Sequence, residues 1–149
     1  MVFDFAVGFI VSLISMFIHL LATIIIAKVV YALKSDFDDK GNLFLSFSLT
    51  IMYLILSVAL FASVTVWGLL FYWLGLVDNF GNGFYSALVS YTTLGFGDAS
   101  QMSETRLVGP MAAASGILMF SWAAAVLIYV LQAHLPYFIT KKDTTPSKS

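Results

Sequence analysis

"NGFYSALVSYTTLGFGD", residues 82–98, decides how this chain folds. Its last seven residues, "TTLGFGD", form a polar turn broken by two glycines, and the stretch before them is apolar and aromatic. Residues 82–93 offer about three turns of helix, with Asn79 or Asn82 placed as an N-cap. That is well short of the roughly 20 residues needed to cross a bilayer. On either side lie longer apolar runs, 43–77 and 107–139, and a third run covers 5–33. Each of these is long enough to span, with the surplus tilting or protruding. The segment between two spans is too long for a plain turn and too apolar for a solvated loop. It is therefore expected to dip into the membrane as a helix (82–92) and return through the glycine turn. Irregular backbone at that depth must be buried in protein or line a wet cavity.

Composition agrees. Of 149 residues, 60% are hydrophobic and only 10% charged, against about a quarter charged in a soluble domain. A net charge of −1 excludes nucleic acid as the main partner. The chain has no cysteine, hence no disulfide and no thiolate metal site. "MVFDFAVGF" has no basic region before its apolar run, so it is expected to remain as a membrane helix rather than act as a cleaved leader. The organisation expected is an N-terminal helix with a charged cytoplasmic loop (1–42, the loop being "KSDFDDKGN" at 34–42), a pore domain (43–140) and a polar tail (141–149). Placing the N-terminus outside puts Lys28, Lys34, Lys40, Lys141, Lys142 and Lys148 on the cytoplasmic side and leaves Arg106 outside, as the positive-inside rule prefers.

Residues 78–106 then face outward, and the turn's chemistry can be asked. Gly95 and Gly97 alternate with larger residues, and glycine reaches backbone conformations closed to the others. Such alternation lets the carbonyls of Thr93, Leu94, Gly95 and Phe96 point to one side, with the Thr93 hydroxyl at the inner end. Rings of carbonyl oxygens can replace the hydration shell of a monovalent cation. The short helix ends near Thr92, and its partly negative C-terminus favours a cation below it.

"TTLGFGD" resembles the selectivity-filter signature of the potassium-channel family: Thr, an aliphatic residue, Gly, Tyr or Phe, Gly, usually Asp. The resemblance covers 43–135. It implies an all-α membrane protein with three transmembrane helices, a re-entrant pore helix and a filter loop, assembled as a homotetramer that conducts potassium passively. It places the filter and the potassium sites on Thr93, Leu94, Gly95, Phe96 and Gly97 (93–97), flanked by Thr92 and Asp98. It also matches Arg106 near the start of the inner helix and Gly116 as a hinge ten residues later. No cofactor is implied beyond the permeant ion, and the expected partners are further copies of the chain and membrane lipids. Departures are visible around the filter. Leu94 and Phe96 replace the commoner valine or isoleucine and tyrosine. Tyr85 and Ser86 stand where many members carry two tryptophans, and Val89 where some carry a glutamate that braces the filter aspartate. Phe96 lacks the hydroxyl that bonds the filter to an aromatic belt. No proline follows the turn, and the stretch from Asp98 to Arg106 is one residue shorter than in the bacterial two-helix pattern.

On the inner helix, Ile117, Phe120, Ala124 and Ile128 recur at spacings of three and four, on one face. That face either lines the pore, where an apolar constriction can gate by dewetting, or packs against the second span. Pro136 is expected to end or kink the helix, with His134, a candidate pH sensor or a solvated histidine, beside it. In the first span Gly8, Ser12, Ser15, His19 and Thr23 form a small and polar stripe suited to tight helix contact. His19, at mid-span, is either a functional ionisable group or a histidine bonded to a neighbouring helix. Trp67, Tyr72 and Trp73 are candidates for anchoring at the membrane interface. Voltage sensors place arginines periodically in a span, and the single arginine of this chain lies outside the first two. Catalysis is not expected, because acids, bases and nucleophiles do not cluster. The competing functions are a weakly selective cation channel on the same scaffold and a non-conducting membrane scaffold or accessory subunit.

Overall fold

The computed structural model of the chain describes residues 2–33, 37–95 and 107–143, with side chains at 2–32, 46–95 and 107–132. Among these residues there are four helices and no strand: α1 (Val2–Leu33), α2 (Phe37–Trp73), α3 (Phe80–Tyr91) and α4 (Val108–Asp143). Stretches of α1, α2 and α4 are long and apolar enough to cross a membrane: Val2–Ala32, Ser46–Trp73 and Val108–Gln132. The 12-residue α3 is not. The chain is thus an all-α, multi-pass membrane protein.

Three bounds differ from those expected by four residues or more. Helix α2 begins at Phe37, so most of the loop expected over 34–42 is helical. It also ends at Trp73, four residues early, because Gly75 turns the chain. Gly75 has φ +68, and the Gly75 and Leu76 amides bond back to the Tyr72 and Phe71 carbonyls, both at 3.0 Å. This is a Schellman cap, which needs the left-handed region that glycine enters without strain. Finally, α4 runs through Pro136 to Asp143, so Pro136 does not end it and the first residues of the polar tail are helical.

The helices pack with the re-entrant α3 set against α2 and α4, and with α1 lying along both α2 and α4. Helix α1 buries one narrow stripe, Asp4, Gly8, Val11, Ser15, His19, Ala22 and Ile26. Its steps of three and four residues are those of a single helix face. The small and polar stripe read from the sequence lies on that side. Most of the rest of α1, including Phe5, Phe9, Phe17 and Ile25, is exposed, as a lipid-facing surface can be. Two apolar cores result. One gathers all four helices around α3, through Val11, Val64, Trp67, Phe71, Ala87, Tyr91, Val108 and Ala112. The other joins α1, α2 and α4 through Ile26, Met52, Leu56 and Val130. Trp67 belongs to the first core: it is fully buried and meets Phe71 edge-on at 6.5 Å. It is not an interface anchor, whereas Tyr72 and Trp73 are exposed.

Candidate functional site

Helix α3 starts as a capped helix. Asn79 is extended, and its side-chain oxygen accepts from the Asn82 amide at 2.9 Å, satisfying one of the free donors of the first turn. Backbone-to-backbone packing then holds α3 on α2. A Cβ on Gly83 would stand 2.6 Å from the Gly68 carbonyl oxygen, and one on Gly68 2.9 Å from the Phe84 Cα. Two glycines therefore let the helices approach as closely as their backbones allow, the usual device of membrane interfaces.

The other end of α3 launches the turn. The amides of Thr92, Thr93 and Leu94 bond back to the carbonyls of Leu88, Ser90 and Val89 at 2.9, 2.9 and 3.0 Å, and the Gly95 amide reaches Val89 at 3.4 Å. The Thr92 hydroxyl caps Leu88 at 2.8 Å and approaches Val89 at 3.3 Å. Both Thr93 and Gly95 have φ +61, while Leu94 between them does not enter the left-handed region. Alternating handedness on successive residues turns their amides to one side, as in an anion-binding nest, and their carbonyls to the other. Here the amides are occupied by the helix end. Thr93, Leu94 and Gly95 are exposed in the single chain. A threonine at positive φ is unusual and strained, and such strain is concentrated at functional sites.

Helix α4 backs this turn. Gly116 faces the last residue of α3, and a Cβ there would overlap the Tyr91 carbonyl oxygen and stand 2.8 Å from its carbon. The demand at position 116 is therefore one of space, whatever part it plays in bending. Tyr91 is fully buried, and its ring lies 6.1 Å from that of Phe120. Nothing in the sequence singled it out; its one signal was a phenol among apolar neighbours immediately before the threonine pair.

The remaining expected residues divide. Val89 is buried, and its carbonyl, rather than its side chain, receives the turn's amides. Tyr85 is 55% exposed, on the outside of α3. Ile117, Phe120, Ala124 and Ile128 are all exposed in the single chain, so the stripe is not packed against α2. Phe96, Gly97, Asp98 and Arg106 lie outside the described residues, as does the side chain of His134. His19 is fully buried, with Nδ1 3.0 Å from the Ser15 carbonyl and 3.5 Å from the hydroxyl of Ser63 on α2. Among the described residues no group of acidic, histidine or cysteine side chains could hold a metal ion.

No curated protein and no solved structure matches the chain. Residues 49–133, more than half of it, match the family model described as "Ion channel", a domain of the two-helix potassium-channel type. The match takes in most of α2, all of α3 and α4 as far as Ala133, and leaves out α1. Those three helices are the ones that hold the strained turn, and the chain belongs to this ion-channel family.

Proposed function

We propose that four copies of this chain surround a common axis and conduct potassium passively through the backbone oxygens of "TLGFG", Thr93 to Gly97. The observation that carries the proposal is the alternation at Thr93 and Gly95, both at φ +61 with Leu94 between them outside that region. It supports a row of carbonyls aimed together, with their amides already tied to α3. One chain supplies a single row. A cation needs oxygens on all sides, so the row has a use only in an assembly. Ile117, Phe120, Ala124 and Ile128, exposed on α4, are the side chains proposed to line the vestibule. The proposed orientation is N-terminus outside and C-terminus cytoplasmic, following the lysines. The proposed partners are lipids and further copies of the chain, and the proposed bound group is the permeant potassium ion.

The test is the reversal potential of the purified chain in planar bilayers under opposed potassium and sodium gradients. A shift toward the potassium equilibrium potential, abolished in Gly95→Ala, is the expected result. Gly95 sits at positive φ, and a Cβ there would meet the Thr93 carbonyl oxygen at 3.8 Å, an ordinary contact, so alanine there strains the turn without a clash. Reversal near zero would move the protein to the weakly selective class. Persistent silence across voltage, pH and tension, from a tetramer shown to be intact, would leave a scaffold.

A further inference from the structure

Where the four helices meet, five polar side chains lie inside otherwise apolar spans. Ser15 and His19 of α1, Ser63 of α2, Tyr91 of α3 and Ser115 of α4 are each at most 2% exposed. Part of their arrangement is determined. The Ser15 carbonyl can only accept, so the His19 ring proton sits on Nδ1 and donates to it at 3.0 Å. The same N–H lies 3.5 Å from Ser63 Oγ. The Ser63 hydroxyl donates to the Ala59 carbonyl at 3.1 Å, leaving its lone pairs free to accept. The Tyr91 hydroxyl also neighbours the hydroxyls of Ser63 and Ser115.

The contacts around Tyr91 are too loose to count as hydrogen bonds, and the cluster is incompletely satisfied. Tyr91 OH, Ser115 Oγ, Ser15 Oγ and His19 Nε2 find no partner among the described residues. Three are hydroxyl donors, and Nε2, with the proton on Nδ1, is an acceptor. Leaving such groups unpaired in an apolar interior is costly. A neighbouring subunit cannot supply the partners, because helices of the same chain already cover every one of these side chains. Water can reach where a side chain cannot, and buried waters typically bridge two to four such groups.

We propose that His19, Ser63, Tyr91 and Ser115 hold buried water that ties α1 to the pore helix, making His19 a positioning residue for the turn at Thr93–Gly95. Tyr91 ends α3, and its backbone carbonyl rests on Gly116. Restraining its ring from the side of α1 therefore restrains the start of the turn. This gives a task to the helix that the family match omits. The water site stands on the packing alone; the positioning role rests on the filter reading above.

The two parts are tested separately. In liposomes, the full chain labelled with ¹⁵N-histidine is observed by solid-state NMR for magnetisation transfer from water to the imidazole nitrogens. The chain has two histidines, so His134→Gln leaves only the signal of His19. Transfer to that signal is expected, and it should fall severalfold in His134→Gln combined with Tyr91→Phe, which keeps the ring and removes the hydroxyl. A folded His134→Gln chain whose His19 nitrogens receive nothing from water overturns the site. For positioning, His19→Leu keeps bulk without polarity and should lower the potassium-to-sodium permeability ratio, or shorten the conducting lifetime, about tenfold. His19→Asn, which returns a donor near the place of Nδ1, should recover most of that loss. His19→Leu currents equal to wild type overturn the positioning role. A silent wild-type tetramer removes the positioning role together with the pore, and the NMR result still decides the water site.

Discussion

Replacing Gly116 by Ala separates two accounts of this residue. As a hinge, glycine would matter for bending α4, and alanine would alter opening while leaving ion choice intact. The geometry argues for a different effect. The added methyl would overlap the Tyr91 carbonyl oxygen and stand 2.8 Å from the carbonyl carbon and 3.1 Å from the Cα. All three are backbone atoms, so no rotamer change relieves the clash. Restoring ordinary contact at 3.4 Å requires the carbonyl carbon to move by about 0.6 Å, and the oxygen by more. Either α4 retreats or the end of α3 shifts, and Thr93 follows Tyr91 by only two residues. Overpacking of a well-packed site costs roughly 1–3 kcal/mol, and a rigid backbone neighbour puts this case at the upper end. The expected outcome is a lower unfolding temperature for the detergent-solubilised assembly together with a reversal potential displaced toward zero. Both are read on one preparation, by thermal unfolding and by bilayer recording under opposed gradients. An alanine variant with wild-type unfolding and wild-type ion preference, but altered opening, would refute the close-contact argument and restore the hinge.

Two further substitutions test the frame around the site. Gly75→Ala meets open space but must hold φ +68, so it should destabilise by roughly 1–2 kcal/mol, and Gly75→Asn by less; equal unfolding temperatures for the two variants and wild type would refute the cap. Trp122→Phe removes the bond from its indole nitrogen to the Thr23 hydroxyl at 3.0 Å, the link between α4 and α1, and should cost about 0.6 kcal/mol, with an upper bound near 1.7. Combined with Thr23→Val in a double-mutant cycle, the two losses should be less than additive, and strict additivity would mean that the bond contributes nothing.

Several local features could be read directly because each rests on a few adjacent residues. Asn79 was one of two candidate caps, and the cap depends only on its spacing to Asn82. The stripe Gly8, Ser12, Ser15, His19 and Thr23 followed from the helical repeat, and its residues meet the other spans or line the side that does. The turn was legible as a chemical pattern and Gly95 has the positive φ open to glycine, but the positive φ of Thr93 was not readable from the glycine spacing. Tyr91, Trp67 and the Gly116 contact were not legible. Trp67 read as an interfacial residue because indoles favour that level of the membrane, yet it fills the core beside α3. Gly116 read as a hinge by resemblance, and nothing in the sequence pointed to the carbonyl, from a helix 25 positions earlier in the chain, that leaves no room there for a Cβ.

Hydropathy and run length alone determined that three segments are long and apolar enough to span and that a fourth is too short to do so. Both depend on how many consecutive residues can leave water, a property of each segment by itself. Which faces meet was decided by the tertiary structure. In a soluble protein an apolar side chain marks the inside, but lipid is as apolar as a helix interface, so Phe9 toward lipid and Phe71 in the core carry the same signal. What distinguishes inside from outside here is the closeness of backbones at Gly68, Gly83 and Gly116 and the company of polar groups around His19. Those depend on distances between residues far apart in the chain, and they exist only once the helices have packed.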